Sequence, residues 1–388
     1  MDNFIFENPT KVIFGQDTIK NIGTEIKSHN VKKVLVLYGK GSIFKNGVYD
    51  TAIGSLKEND IDIIEIGGVK SNPVLSKVYE AIEVGKKEKV DGILAIGGGS
   101  TIDTAKTVSA GICYEGDIWD AFEKTYIIDK ALPIFTILTI SATGSEMNGG
   151  CVITKEDEKK KWSTSASVLY PKVSIIDPTI QSTLPKEQTV YGAVDAISHI
   201  LECYFIGGDK TDVIDEMSEG IIRTIMKHSK ILIKDPNNYN SRSQLAWSAT
   251  LALNGNLKIA KNGGDWATHG IEHSVSAFTD VAHGAGLAII HPAWMKYVYK
   301  EDVNKFKRFG ENIFGIKEGT SEEIALEGIS KLKEFFKDLG APTTLKELGI
   351  KKEELDKFAD NTELVTPLGR LKALNRQDIL NILKIAYE

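Results

Sequence analysis

Three of the chain's seven histidines crowd into one segment, Thr268-His269-Gly-Ile-Glu-His273 through Val281-Ala-His283-Gly284. A fourth stands in Gly192-Ala-Val-Asp195-Ala-Ile-Ser-His199. Asp195 and His199 are spaced i, i+4, as are His269 and His273, so on helices each pair faces one way and can grip one ion. A carboxylate with several imidazoles suits a divalent ion of borderline hardness, Fe2+ or Zn2+. Such a set is of the catalytic type when one position stays open for substrate. Five side chains (Asp195, His199, His269, His273 and His283) are one more than a tetrahedral site with open access requires, so one of the five is not a ligand. His29, His228 and His291 have no partner at ligand spacing and read as structural.

A second kind of chemistry is written in glycine. Gly97-Gly98-Gly99-Ser100 follows an apolar run ending at Ile96 and precedes the helix start Thr101-Ile-Asp-Thr-Ala-Lys106. Such a turn lets backbone approach a pyrophosphate and aims free N–H groups and the positive helix end at the anion. Neither the Gly-x-Gly-x-x-Gly fingerprint nor the Gly-x-x-x-x-Gly-Lys-Ser/Thr loop is present. Another glycine turn, Tyr38-Gly39-Lys40-Gly41-Ser42, closes the run Lys33 to Tyr38. In dinucleotide-binding sheets an acid at such a strand end holds the ribose hydroxyls and repels a 2′-phosphate. No acid stands between Val34 and Tyr49, whereas Gly39, Lys40, Ser42 and Lys45 offer room, donors and positive charge, which favours a phosphorylated cofactor.

The elements that must carry these residues divide near residue 187. Before it, β-branched runs (Lys11–Phe14, Lys33–Tyr38, Ile61–Ile66, Gly92–Ile96, Pro133–Thr139, Val173–Ile176) alternate with helical stretches at about 43–58 and 74–88. That alternation predicts βαβ units feeding a parallel sheet, and the continuous apolar run Val34 to Leu37 fits a strand covered on both faces. Lys155 to Lys161 is a charge run that reads as a solvated turn. After residue 187 strand signals fade and helical spacing dominates, as in Asp212–Ser229, Asn240–Ile259 and Glu322–Lys337. The expected fold is therefore an α/β, Rossmann-like dinucleotide-binding domain over residues 1–187. An all-α metal-binding domain over 188–388 follows, with a cleft between the two.

Composition removes other classes. The chain has 388 residues, 42% hydrophobic and 26% charged, with a formal charge of −6, which argues against a dedicated nucleic-acid binder. No apolar run approaches the ~18–20 residues of a membrane span, and the acidic start Met-Asp-Asn-Phe lacks the basic region of a signal peptide. Three scattered cysteines (Cys113, Cys151, Cys203) fit neither a disulfide scaffold nor a thiolate cluster; they read as buried small hydrophobes in a reducing cytoplasm.

Five segments in order resemble the iron-containing (group III) alcohol dehydrogenases. They are Ile96-Gly-Gly-Gly-Ser-x-x-Asp-x-Ala-Lys106, Thr139-Ile-Ser-Ala-Thr-Gly-Ser-Glu146, Leu184-Pro185, Gly192-x-x-Asp-x-x-x-His199 and His269-x-x-x-His273-x9-His283-Gly284. The resemblance runs from Phe6 to the C-terminal helix and is strongest to the NADPH-dependent butanol dehydrogenases and aldehyde reductases. It implies Asp195, His199, His269 and His283 as ligands of one Fe2+ or Zn2+, and His273 as a non-ligand catalytic histidine near nicotinamide and substrate. It implies that Gly97, Gly98 and Ser100 cradle the pyrophosphate and that Asp103 approaches the ribose and nicotinamide. Thr139, Ser141 and Ser145 would line the cofactor groove, and Lys161 falls where relatives carry a basic residue near the nicotinamide. NAD-using members carry Asp where this chain has Gly39, so the implied cofactor is NADP(H).

The expected activity is hydride transfer between NADP(H) and a small primary alcohol or aldehyde such as butanol or butanal, with His273 relaying the alcohol proton. Apolar residues around the metal motifs (Ala193, Val194, Ile197, Val275, Ala277, Phe278) agree with a small apolar substrate. The competing readings are a glycerol dehydrogenase-like NAD enzyme, a dehydroquinate synthase-like lyase and a non-catalytic metal or nucleotide binder. A homodimer is expected, with Phe4–Phe6 and Lys11–Phe14 as an edge strand between subunits.

Overall fold

The computed structural model describes residues 3–207, 210–365 and 367–388. Its eight strands are β1 (Lys11–Phe14), β2 (Lys33–Tyr38), β3 (Asp62–Ile66), β4 (Gly92–Gly97), β5 (Ile134–Leu138), β6 (Gly150–Lys155), β7 (Lys160–Ser165) and β8 (Val173–Ile176). Six of them form one parallel sheet in the order β1-β8-β5-β4-β2-β3. Period-two alternation decides what each face buries. Val34 and Val36 join Leu94, Ile96, Phe135 and Ile137 in one core. Leu35 and Leu37 join Ile93, Ala95, Ile134 and Leu138 in the other. With both faces covered, the central strands are apolar throughout, as a parallel sheet requires.

The chain leaves β2 to one side, toward β3, and returns to β2's other side as β4. The carboxyl ends of β2 and β4 therefore flank the reversal of strand order, where ligands of open α/β sheets bind. Both glycine turns sit there, since Tyr38 and Ile96 are register partners.

The chain divides into two compact units. One, α/β, comprises Glu7–Leu184 and Pro236–Thr250; the other, helical, comprises the start of the chain up to Phe6, Pro185–Asp235 and Leu251–Glu388. The main crossing between the units falls at Leu184-Pro185, and two short segments join a unit away from their sequence neighbours. Residues 236–250 belong with the sheet because Ala246 is buried in its core and Thr250 Oγ1 donates to Glu146 Oε1 at 2.6 Å.

Several local expectations differ from what the chain does. The helix expected at 43–58 is two, Ser42–Lys45 and Val48–Glu58, because Gly47 takes φ +76° between them. The one expected over Asn240–Ile259 runs Tyr239–Ala252 and stops before Gly255, whose φ is +102°. The charge run 155–161 is not simply a solvated turn: Lys155 ends β6 and Lys160-Lys161 begin β7, an antiparallel hairpin, and Lys161 is buried. Cys151 and Cys203 are buried as expected, whereas Cys113, at the end of the helix Gly99–Cys113, is exposed. Lys11–Phe14 forms the edge strand β1, while Phe4–Phe6 takes no regular structure. No helix among the described residues is long and apolar enough to cross a membrane.

Candidate metal centre and nucleotide site

The helix Lys186–Tyr204 is buried along most of its length and carries Asp195, His199 and Glu202 on one face, at i, i+4 and i+7. The helix Ala267–Thr279 supplies His269, Glu272 and His273, and His283 opens the helix His283–Val298. That last helix reaches the first because Gly284 lacks a side chain: a Cβ there would lie 2.2 Å from the Tyr191 carbonyl oxygen.

These elements bring four of the five expected groups to a point. Asp195 Oδ1 lies 3.6 Å from His199 Nε2, 3.8 Å from His269 Nε2 and 3.6 Å from His283 Nε2. Metal–ligand bonds of about 2.0–2.2 Å set tetrahedral ligand atoms about 3.3–3.6 Å apart, so the three distances to Asp195 fit one ion, with Asp195, His199 and His269 mutually within 4.8 Å and His283 grouped at the same spacing with Glu272 and His273. Asp195 Oδ1 and His269 Nε2 are buried with no hydrogen-bond partner among the described residues, an arrangement that costs free energy unless a cation accepts the lone pairs. Burial alone would raise the Asp195 carboxyl, but the imidazoles of His199, His269 and His283 outweigh it and hold the group well below the usual range. Burial pushes His199 down to about 3, which keeps that imidazole neutral and able to donate a lone pair.

Two carboxylates hold two of these rings from behind. Glu202 Oε1 accepts from His269 Nδ1 at 2.8 Å, and Glu272 Oε2 pairs with His283 Nδ1. Each pairing leaves Nε2 as the nitrogen facing Asp195 and raises its basicity. Glu202 also accepts from the Trp266 and His269 N–H groups, at 2.7 and 3.1 Å. His273 is half-buried, its ring 5.4 Å from that of His283 and 6.4 Å from that of His269. His291, read as structural, is fully buried behind the centre, its Nδ1 3.2 Å from Thr268 Oγ1.

Backbone builds the other site, in the α/β unit. The helix Gly99–Cys113 begins directly after β4 with no acid in its first turn, leaving its unpaired N–H groups and positive end to an anion. None of the three glycines has positive φ. What they allow is close approach: a Cβ on Gly98 would lie 2.1 Å from Ile140 Cγ2, and one on Gly99 2.4 Å from the Thr143 side chain. Ser100 donates to the Ser71 carbonyl, and the adjoining Asn72 accepts from Lys161 Nζ at 3.0 Å, which brings Lys161 to the same end of the sheet. Gly39 has room beside it, since a Cβ there meets only the Val69 carbonyl, at 3.6 Å. Lys40 and Ser42 are exposed.

Several groove residues turn inward. Ser145 Oγ donates to Asp103 Oδ1 at 2.6 Å and accepts from the fully buried Lys106 Nζ at 2.8 Å. Asp103 Oδ2 accepts from the Val152 N–H at 3.0 Å, tying the helix to the hairpin. Burial pushes Asp103 up and Lys106 down to about 8, each partly offset by the other's charge. Ser141 is buried against Gln181, 2.8 Å from its Nε2, while Thr139 is half-exposed and its N–H donates to the Gly97 carbonyl at 3.0 Å.

Sequence reasoning missed Glu202, Glu272 and Lys106. The first two carried a signal, each spaced i, i+3 from a histidine of the expected ligand set (His199 and His269).

Known proteins with this pattern agree. The family described as "Iron-containing alcohol dehydrogenase" matches residues 9–178, and "Fe-containing alcohol dehydrogenase family, C-terminal" matches 189–387. The chain is 42% identical to the "Probable NADH-dependent butanol dehydrogenase 1" of Bacillus subtilis, covering 99% of both chains. It is 34% identical to the "NADPH-dependent aldehyde reductase" of Escherichia coli, covering 90% of each. The crystal structure of a Thermotoga maritima "NADH-dependent butanol dehydrogenase A" superposes with a TM-score of 0.98 at 57% identity, covering 100% of this chain and 99% of that one. With both halves matched in order and a centre of one aspartate and three imidazoles between its helices, the chain belongs to the iron-containing alcohol dehydrogenase family.

Proposed function

We propose that this chain interconverts small primary alcohols and aldehydes of the butanol/butanal type, using NADP(H) and one Fe2+ or Zn2+. The observation that carries the reading is the convergence of three imidazole Nε2 atoms on Asp195 Oδ1. When bound, the metal supplies Lewis acidity to the substrate oxygen and the nicotinamide supplies or accepts the hydride. Asp195, His199, His269 and His283 hold the ion, with Glu202 and Glu272 fixing two of the rings. Gly97, Gly98 and Ser100 hold the pyrophosphate. His273, one helical turn from His269 and outside the ligand set, takes the alcohol proton. The names of the relatives favour this activity over the glycerol dehydrogenase and lyase readings.

NADP(H) rests on Gly39, the exposed Lys40 and Ser42, and the lack of any acid between Val34 and Tyr49. NADH is the second reading, because relatives 40–42% identical are named NADH-dependent. Aldehyde-dependent oxidation of NADPH and NADH by the wild type and Gly39→Asp decides between them. A preference for NADPH that shifts toward NADH in the variant is expected; an unchanged preference removes the role of that turn. Homodimerisation through the edge strand β1, which pairs only with β8 within this chain, is checked by light scattering on the purified protein. Unbridged Cys113, Cys151 and Cys203 support a cytoplasmic setting.

A further inference from the structure

Two of the three ligand imidazoles have a carboxylate behind them, and the third does not. His269 has Glu202 and His283 has Glu272, but His199 Nδ1 is buried with no hydrogen-bond partner among the described residues. What touches His199 instead is aromatic. Its ring lies 4.7 Å from that of His269 at an interplanar angle of 21°, and 6.2 Å from that of Trp266. The Trp266 ring is also 5.2 Å from His269, edge-on, and half-buried.

Trp266 is held in place at some cost. Its φ is +65°, a left-handed conformation that is uncommon for a bulky side chain and points to a local requirement. Its N–H donates to Glu202 Oε2 at 2.7 Å, on the same carboxylate that orients His269. The neighbouring Asp265 carboxylate accepts from the N–H groups of Ala267, Arg370 and Leu371 at 3.1, 2.6 and 2.7 Å, which locks the backbone beside it. On the ring itself, Lys258 Nζ sits 4.7 Å from the centroid, a cation–π contact.

We propose that Trp266 is a positioning residue for the metal ligand His199: its ring does by packing what Glu202 and Glu272 do by hydrogen bonding for the other two imidazoles. The proposal rests on the metal reading above and extends it to a residue outside the ligand set. His199, lacking the carboxylate that raises a ligand's basicity, is then the ligand whose orientation is most easily lost.

The test titrates metal-free full-length protein with Co2+, following the visible absorption of the bound ion and, separately, the melting midpoint without metal. Trp266→Gly removes the ring while glycine accepts the left-handed backbone freely, so its metal-free midpoint should fall only by the packing lost with the ring, and the midpoint shows that the variant is folded before metal is added. Its Co2+ dissociation constant should rise about 10–100-fold, the effect of losing a partner that orients a ligand. The absorption spectrum should change with it, and Trp266→Phe should restore both to within a few-fold. Trp266→Asn, also tolerant of the left-handed region, replaces the glycine variant if that one fails to fold. Wild-type affinity and spectrum in the ring-free variant, or a loss that phenylalanine does not restore, would overturn the proposal. Asp195→Ala separates the two claims. If it binds Co2+ as wild type does, the metal reading itself fails; if it abolishes binding while Trp266→Gly changes nothing, only the role of Trp266 fails.

Discussion

In the helical unit the candidate centre is made of side chains, while in the α/β unit the candidate nucleotide site is made of backbone. Asp195, His199, His269 and His283 come from three helices, each imidazole Nε2 approaching Asp195 Oδ1, with Glu202 behind His269 and Glu272 behind His283. Gly97, Gly98 and Gly99 contribute no side chain; their part is to let a strand end and a helix start pass close to Ile140 and Thr143. A site of the first kind fails when atoms are removed, because each donor has one irreplaceable position. A site of the second kind fails when atoms are added.

The largest effect expected from this contrast is at Asp195. Asp195→Ala should strip the ion and reduce aldehyde-dependent NADPH oxidation to background, as read by metal analysis of the purified variant beside an activity assay; retained metal would dissolve the four-ligand set. His273→Ala should behave differently, keeping its metal while kcat falls by about 10²–10⁴-fold, the usual range for losing a general acid–base group. An emptied centre in that variant would move His273 into the ligand set. Glu272→Gln leaves all four proposed ligands in place and should weaken metal affinity by about 10–100-fold, since the carboxylate pairs with His283 Nδ1. A chelator-competition titration measures this, and unchanged affinity would show that the His283 ring needs no such support.

The smallest effect comes from adding one methyl group to the backbone-built site. Gly98→Ala places a Cβ 2.1 Å from Ile140 Cγ2, too close to stand without movement. The shift required costs about 1–3 kcal/mol, so NADPH should bind roughly 10-fold more weakly with metal content unchanged. Fluorescence titration of the nucleotide reads this directly. Equal affinity would mean the turn has slack that the contact with Ile140 does not suggest.

The same contrast explains what was legible in the sequence. The candidate metal-binding side chains stand out, because histidine is scarce here and the i, i+4 spacing of Asp195 and His199 survives without knowledge of the fold. The parallel sheet was equally plain from runs such as Val34–Leu37, apolar because both faces are buried. Partners reached through tertiary contact were not visible. Nothing in the charge run 155–161 says that Lys161 turns inward to Asn72, 89 positions away, while the neighbouring Lys160 on the same strand pairs with Glu158. Ser145, expected in the cofactor groove, bonds Asp103 and Lys106, a pairing set by how the segment after β5 folds over the helix. Residues 236–250 have helical spacing like their neighbours, and only tertiary contacts, the burial of Ala246 and the Thr250–Glu146 hydrogen bond, assign them to the sheet.

Anomalous diffraction from crystals grown with the native metal tests the centre most directly. One peak at the iron or zinc edge is expected, about 2.0–2.2 Å from Asp195, His199 Nε2, His269 Nε2 and His283 Nε2, with the His273 ring outside bonding distance. A peak bonded to His273, or one that leaves any of those four groups unbound, would contradict the arrangement on which the proposed chemistry stands.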